Sequence, residues 1–218
     1  MIERMLKATE DIWNSYSVHP FVKGIEEGTL SKEKFRYYII QDYLYLVEYA
    51  KVFGIGLAKS TNLEIVKLFS NYIHQLTESE MDIHSGYMAE LNITHQQLKE
   101  MPVALNNLSY TSYMLRVAYE EGVAEIIAAI LACAYSYEVI ARNMVKNNPD
   151  CINDRFYGDW IKGYSSEKYS EENKYLIDIF EKVTCEYTEK QKEHLVDIFV
   201  ACSRYELEFW DMAWNSLK

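Results

Sequence analysis

Hydrophobic residues recur three and four positions apart along almost the whole chain, which is the spacing of amphipathic helices. Residues 2–17 follow this pattern and are predicted to form one helix that His19 and Pro20 end. Residues 21–26 form at most a short helix before Gly28. No stretch shows the apolar–polar alternation, bounded by turn signals, that predicts strands. The pattern therefore indicates an all-α protein.

Capping residues predict where the following helices begin. Ser31 precedes a long aromatic-rich segment, so a long helix is predicted from there. Asn62 is predicted to cap a helix that runs toward Leu91. The sequence Thr94-x-x-Gln97 is a capping box for a short helix that stops at Pro102. Further helices are predicted to begin at Ser109 or Thr111, after Gly122, at Ser166 and at Thr188. The count gives a single domain over residues 1–218, a bundle of about seven main helices.

The stretch 122–142 is the most apolar and is rich in small side chains, which places its helix in the middle of the bundle. Cys133 and Tyr137 stand four residues apart, so thiol and phenol share one face. The surrounding alanines leave room for a ligand to approach. A buried thiol beside a phenol is the feature that a functional interpretation has to explain.

Composition and charge narrow the choice of function. The net charge is −11 and no Lys/Arg cluster occurs, so neither a nucleic-acid partner nor an anionic membrane is expected. The N-terminus lacks the apolar core of a signal peptide, and no run reaches the length of a membrane span. Four widely spaced cysteines suggest neither a zinc site nor a disulfide framework. A cytoplasmic protein is predicted.

Three residues are candidates for chemistry. Cys133 lies mid-helix and, as a lone cysteine, is ordinarily a small buried hydrophobe; a reactive role needs an acid–base partner or an activating substrate. Asp42 interrupts an aromatic run and shares a face with Tyr45, although a solvated edge residue is equally compatible. Glu206 shares a face with Trp210. A carboxylate among aromatic rings can be a general acid or base, while the alternative is an outward-facing charge.

Metal binding is not expected. Di-iron bundles use paired Glu-x-x-His motifs, and none of the five histidines has a glutamate three residues before it. Glu80 and His84 are four apart and could share a face, but a single such pair is weak evidence. Phosphate-binding glycine loops and G-x-S-x-G elbows are also absent from the sequence.

Five segments together resemble the TenA family, the thiaminase II or aminopyrimidine aminohydrolase enzymes with the haem-oxygenase-like all-α fold. They are Y-Y-I-I-Q-D-Y-L-Y-L (37–46), Y-T-S-Y-M (110–114), A-E-I-I-A-A-I-L-A-C-x-x-S-Y-E (124–138), Y-x-x-W-I-x-x-Y (157–164) and Y-E-x-x-F-W-D-M-A (205–213). Cys133 matches the cysteine-bearing branch of that family. Ala134 departs from the large aromatic residue that relatives often have there, which is expected to alter the shape of the site.

The resemblance implies a hydrolase of thiamin salvage that needs no cofactor. Its substrate would be 4-amino-5-aminomethyl-2-methylpyrimidine or thiamin, and its product the 5-hydroxymethyl pyrimidine. Cys133 would add to the pyrimidine ring, Asp42 would bind the amidine-like face of the ring, and Glu206 would protonate the leaving group and then activate water. The residues implied to hold the ring are Tyr45, Tyr110, Tyr137, Tyr164 and Phe209. Family members tend to be homotetramers, so the same assembly is expected.

Two other classes of function remain open from the sequence. One is a non-catalytic pyrimidine-binding or transcription-regulatory member of the same fold. The other is a cofactor-free quinone-forming oxidase or a di-iron oxygenase of that fold. The combination of a cysteine with two carboxylates favours hydrolysis over binding alone.

Overall fold

The computed structural model describes residues 1–77 and 81–216, without the side chains of 81–83. Within those residues the chain forms twelve α-helices, one 3-10 helix and no strand. In chain order the α-helices are α1 (Ile2–Ala8), α2 (Glu10–Val18), α3 (Pro20–Glu26), α4 (Lys32–Lys59), α5 (Leu63–Gln75), α6 (Met81–Glu90), α7 (His95–Glu100), α8 (Leu105–Glu120), α9 (Val123–Asn147), α10 (Gly158–Ser165), α11 (Glu167–Thr184) and α12 (Glu189–Asn215). The 3-10 helix is Pro149–Asn153.

The helices divide into two compact units. The first, here called the thiol unit, comprises Met1–Leu30 and Ala124–Trp210 and contains Cys133 and Glu206. The second, here called the aspartate unit, comprises Ser31–Val123 and the C-terminal residues from Asp211, and contains Asp42. The single domain predicted over residues 1–218 stays a prediction.

Several predicted helix starts are confirmed by hydrogen bonds to the capping side chain. Ser31 Oγ accepts from the Lys34 N–H, and Asn62 Oδ1 accepts from the Glu64 N–H at 2.8 Å. The two reciprocal bonds of the capping box at 94–97 are both present. These starts were predictable because each cap lies within three residues of the amides that it satisfies.

The prediction of about seven main helices is wrong, because helices break where no proline or glycine marks the break. The predicted helix over 2–17 divides at Thr9 into α1 and α2. Thr9 Oγ1 donates to the carbonyls of Met5 and Leu6, at 3.0 and 3.3 Å. A threonine hydroxyl that bonds back to the preceding turn offers the backbone an alternative to a continuous helix. Of the helix predicted from Asn62 toward Leu91, the described residues form α5 and α6.

The start predicted for α8 at Ser109 or Thr111 is also wrong. The helix begins at Leu105, because a distant side chain satisfies its first turn: Gln41 Oε1 accepts from the Ala104 N–H at 3.0 Å. Gln41 Nε2 also donates to the Pro102 carbonyl at 2.9 Å. A helix start supported by a residue 63 positions earlier cannot be recognised from the local sequence.

The central position predicted for the 122–142 segment is confirmed by the burial of α9. This helix is long and apolar enough to cross a membrane by length and composition, but 78% of its most apolar window is buried inside the protein. Such burial is typical of the core helix of a soluble protein.

Candidate active site

The Cys133 thiol is half-buried rather than buried, which corrects the expectation from the sequence. It lies between the buried residues Ala132 and Ala134 on α9. The Cys133 carbonyl accepts a hydrogen bond from Ser136 Oγ at 3.0 Å. A partly accessible thiol is able to meet a ligand, whereas a fully buried one is not.

Glu206 is only 2% exposed, so it is not an outward-facing charge. Its neighbours along α12, Phe209 and Trp210, are buried as well. Burial, and then the Glu206 carboxylate, raise the pKa of the fully buried Cys202 thiol well above 9.0. A buried carboxylate close enough to act on its neighbours in this way can serve as a proton carrier.

Tyr16 lies close enough to Glu206 to be influenced by its charge. The sequence marked Tyr16 only as an apolar position in a helical pattern and did not single it out for the site. Burial raises the pKa of Tyr16 well above 10.0, and the Glu206 carboxylate raises it further. Its bond with Ser203 lowers the pKa, and Cys133 and Cys202 raise it by smaller amounts. The Tyr16 hydroxyl donates to the Ser203 carbonyl at 2.5 Å. Tyr16 therefore remains a neutral phenol that both Glu206 and Cys133 influence.

Aromatic rings surround Tyr137, one turn after Cys133. The Tyr137 and Tyr164 ring centroids are 4.9 Å apart, and Tyr137 lies 5.3 Å from Trp210 and 5.8 Å from Trp160. The structure therefore brings together two predicted ring-binding residues, Tyr137 and Tyr164. Trp160 and Trp210 complete a cluster whose tilted rings are typical of favourable aromatic pairs.

A buried polar network ties α9 to α11 next to Cys133. The Ala134 carbonyl accepts from Tyr169 OH at 3.0 Å and from Asn173 Nδ2 at 3.1 Å. The buried Glu138 carboxylate accepts from Asn173 Nδ2 at 2.9 Å and from Ser170 Oγ at 2.5 Å. These bonds hold the thiol-bearing turn of α9, a support that the sequence did not indicate.

In the aspartate unit, Asp42 is 4% exposed and is not the solvated edge residue that the sequence also allowed. Its Oδ2 lies 2.8 Å from His84 Nε2, and His84 is 2% exposed. The sequence suggested His84 only as a weak ligand with Glu80, which lies outside the described residues. The pair places a histidine on α6 against an aspartate on α4.

Tyr45, which was predicted to share a face with Asp42, is buried and lies close to two other tyrosine rings. Tyr45 lies 5.3 Å from Tyr110 and 5.2 Å from Tyr49, centroid to centroid. The Tyr45 hydroxyl lies 3.5 Å from Met114 Sδ. These residues form an aromatic wall between α4 and α8. The thiol unit thus holds a partly exposed thiol and a buried carboxyl group, and the aspartate unit holds a buried carboxyl group three residues before the first ring of this wall.

Comparison with known proteins identifies the family. The model of the TENA/THI-4/PQQC family matches residues 6–216. The chain belongs to this family. A Helicobacter pylori protein named aminopyrimidine aminohydrolase is 44% identical over 95% of this chain and 95% of its own length. One of the same name from Halalkalibacterium halodurans is 39% identical over 97% and 94%.

Solved structures give the same result for the fold. A TenA homologue from P. horikoshii superposes with a TM-score of 0.88 at 28% identity, covering 98% of this chain and 97% of its own. A Shewanella denitrificans domain described as having a heme oxygenase-like fold superposes with a TM-score of 0.77 at 12% identity, covering 99% and 93%. The predicted haem-oxygenase-like fold is therefore confirmed.

Proposed function

We infer that the protein is an aminopyrimidine aminohydrolase, or thiaminase II, a hydrolase of thiamin metabolism. The observation that carries this inference is the 44% identity, over nearly the full length of both chains, to a relative of that name. We propose 4-amino-5-aminomethyl-2-methylpyrimidine or thiamin as the substrate. The product would be 4-amino-5-hydroxymethyl-2-methylpyrimidine, with release of ammonia or of the thiazole.

Cys133 is the proposed nucleophile, in accordance with the cysteine-bearing branch of the family. The thiol passes its proton to the ring nitrogen that Asp42 is proposed to bind, and its sulfur bonds to the ring carbon beside the one that carries the methylene. The ring electrons then expel the amine from the methylene. Water then adds to the exposed methylene. The ring electrons shift back and break the carbon–sulfur bond, and the sulfur takes its proton back from the ring nitrogen. The half-buried position of Cys133 supports this role, because the sulfur has to reach the ring and leave it again.

Glu206 is the proposed proton carrier. It gives a proton to the departing amine and takes one from the attacking water, so that the carboxyl group ends as it began. Its burial supports the role, because a carboxyl group held away from bulk water exchanges protons with a bound ligand rather than with solvent.

Asp42 is the proposed ligand for the amidine-like edge of the ring, where it favours the ring-protonated form that the thiol attacks most readily. Its burial and its place near the Tyr45 and Tyr110 wall support this role. The other residues proposed to hold the ring are Tyr137, Tyr164 and Phe209. All the proposed steps use covalent and proton chemistry that a thiol and two carboxyl groups supply, without a cofactor.

The partner is thus a small pyrimidine, and we further propose a cytoplasmic homotetramer. The wide spacing of the four cysteines supports a reducing compartment. Exposed apolar residues near the start of α8, among them Leu105 and Leu108, support self-association. Light scattering on the purified protein measures the assembly.

The test is to incubate the protein with the aminomethyl pyrimidine and with thiamin and to look for the hydroxymethyl product. Product from the wild type, with none from Cys133→Ala and full activity in the exposed-cysteine control Cys185→Ala, supports the proposal. If the wild type yields no product from either compound while Cys133→Ala binds the pyrimidine as tightly, the protein is a binding module and the proposal fails.

A further inference from the structure

The Asp42 side chain and the backbone next to it are held by two different helices. His84 on α6 contacts the side chain, and α8 contacts the backbone at Gln41. At Gln41, immediately before Asp42, the carbonyl accepts from Asn107 Nδ2 of α8 at 2.8 Å. The Gln41 side chain bonds the segment that leads into α8. The Asp42 carboxylate instead meets α6, where His84 Nε2 lies 2.8 Å from Oδ2. The backbone and the side chain at this position therefore have separate supports.

The contact defines what each partner presents. An ionised carboxylate only accepts hydrogen bonds, so the His84 nitrogen that faces it has to carry the hydrogen. A bond from a nitrogen donor to a charged oxygen is strong and fixes the rotation of the carboxyl group. The His84 and Asp42 side chains are only 2% and 6% exposed, so removing His84 is expected to leave a buried carboxyl group short of a donor.

We propose that His84 is a positioning residue that determines specificity: its Nε2–H holds Asp42 as a pair of acceptors that selects a 4-aminopyrimidine over a 4-oxopyrimidine. The proposal rests on the function proposed above, in which Asp42 binds the edge of the ring. It assigns to His84 no contact with the reacting atoms.

The selection follows from the two edges of the rings. A 4-aminopyrimidine protonated at the neighbouring nitrogen presents two N–H donors side by side, which two carboxylate oxygens accept together. A 4-oxopyrimidine presents an oxygen in place of one donor, and that oxygen is repelled by an acceptor-only carboxylate. Without the His84 donor, the rotation of the Asp42 carboxyl group is no longer fixed, so its two oxygens do not face the two ring donors together. Loss of His84 is therefore expected to weaken the discrimination as well as the affinity.

The experiment compares His84→Leu, which has no donor, with His84→Gln, whose amide nitrogen reaches about as far as Nε2 does. The exposed His74 of the same unit provides the control His74→Gln. For each variant we would measure KM and kcat with the aminomethyl pyrimidine. Calorimetry would give the affinity for the hydroxymethyl pyrimidine and for its 4-oxo analogue.

His84→Leu is expected to raise KM and to weaken binding of the hydroxymethyl pyrimidine by about 10- to 100-fold, the usual effect of losing a bond to a charged group. Its preference for the amino over the oxo compound should fall by about tenfold or more. His84→Gln should stay within about threefold of the wild type, because it restores the donor. A purely structural role would lower the active fraction, and hence kcat, without moving KM or the amino-to-oxo ratio.

A double-mutant cycle with Asp42→Asn separates this inference from the proposed function. His84→Leu is expected to add no further loss in the Asp42→Asn background, since its only proposed effect passes through the carboxylate. The His84 inference is wrong, and the proposed function stands, if Asp42→Asn lowers activity relative to the wild type but His84→Leu leaves KM and the amino-to-oxo affinity ratio unchanged. If the wild type processes no aminopyrimidine, the proposed function itself fails.

A measurement on the wild type without substrate covers the case in which His84→Leu does not fold. Nitrogen-15 NMR of the histidine side chains reports which ring nitrogen carries hydrogen. A hydrogen on the His84 Nε2 is expected, and its absence would overturn the proposal whatever the enzyme's activity.

Discussion

Cys133 and Asp42, which lie in different units, are buried to different extents. In the thiol unit, Cys133 is half-buried, and the supporting bonds fall on backbone carbonyls of its own helix. In the aspartate unit, Asp42 is nearly sealed and its support is a bond to the carboxylate itself. The difference fits their proposed roles: a nucleophile has to move onto and off the substrate, whereas a recognition group has to stay in one orientation.

The largest effect that tests this comparison is expected at Glu206. Glu206→Gln should lower kcat by about 10²- to 10⁴-fold, because the amide cannot carry the proton, and should change KM little. Glu208, two residues later on α12 and exposed, provides the matched control. Steady-state kinetics would check both, and equal losses in Glu206→Gln and Glu208→Gln would rule out a specific role for the buried carboxylate.

Cysteine labelling compares thiols within one unit. In the folded protein near pH 8, iodoacetamide should modify Cys133 and the exposed Cys185 but leave Cys202 unmodified. Cys202 is fully buried, and the same burial together with the Glu206 charge raises the pKa of its thiol well above 9.0. Peptide mass spectrometry measures the extent of labelling at each cysteine. Bound hydroxymethyl pyrimidine should protect Cys133 and not Cys185, and equal protection of both would argue against ligand binding at Cys133.

Two buried asparagines allow the supports of the two units to be compared directly. Asn173→Ala leaves the buried Glu138 carboxylate short of a donor and should lower the free energy of unfolding by about 2–3 kcal/mol. Asn107→Ala removes bonds to Gln41, but it also removes Asn107 Oδ1, a buried acceptor without a partner among the residues described. The free energy of unfolding of Asn107→Ala is therefore expected to fall by less, about 1 kcal/mol.

Urea unfolding at neutral pH measures both asparagine variants. The surface variant Arg116→Ala serves as a reference with a small effect, because it loses only an exposed ion pair with Glu120 and a contact with the Tyr113 ring. A larger loss for Asn107→Ala than for Asn173→Ala would reverse the comparison between the two supports.

The smallest effect is expected in the alkaline range. The pKa values of Tyr16 and Cys202 in the folded protein lie above their ordinary 10.0 and 9.0. The unfolded chain therefore releases these protons first, so the associated stability is complete below about pH 9 and is lost as pH rises toward the folded values. Tyr16→Phe and Cys202→Ala should each make the fall in unfolding free energy above pH 9 shallower. Tyr119→Phe, at a 69% exposed tyrosine, should leave the slope unchanged.

Much of the helical architecture was predictable from the sequence because the signals are local. The caps at Ser31, Asn62 and 94–97 lie next to the amides that they bond, and the apolar composition of the 122–142 segment placed α9 in the core. The break at Thr9 was missed because a threonine tolerates helix and interruption alike. Family membership, likewise, was recognisable from motifs spread along the chain.

Only the tertiary structure decided how the candidate residues are surrounded. Sequence spacing allowed a solvated Asp42 equally well and slightly favoured an outward-facing Glu206, and the structure shows both residues buried. The tertiary fold also brings His84 to Asp42, Tyr16 to the neighbourhood of Glu206, and Gln41 to the first turn of α8. The physical reason is that helix periodicity and caps act within a few residues, whereas desolvation and side-chain pairing depend on contacts between segments far apart in the chain.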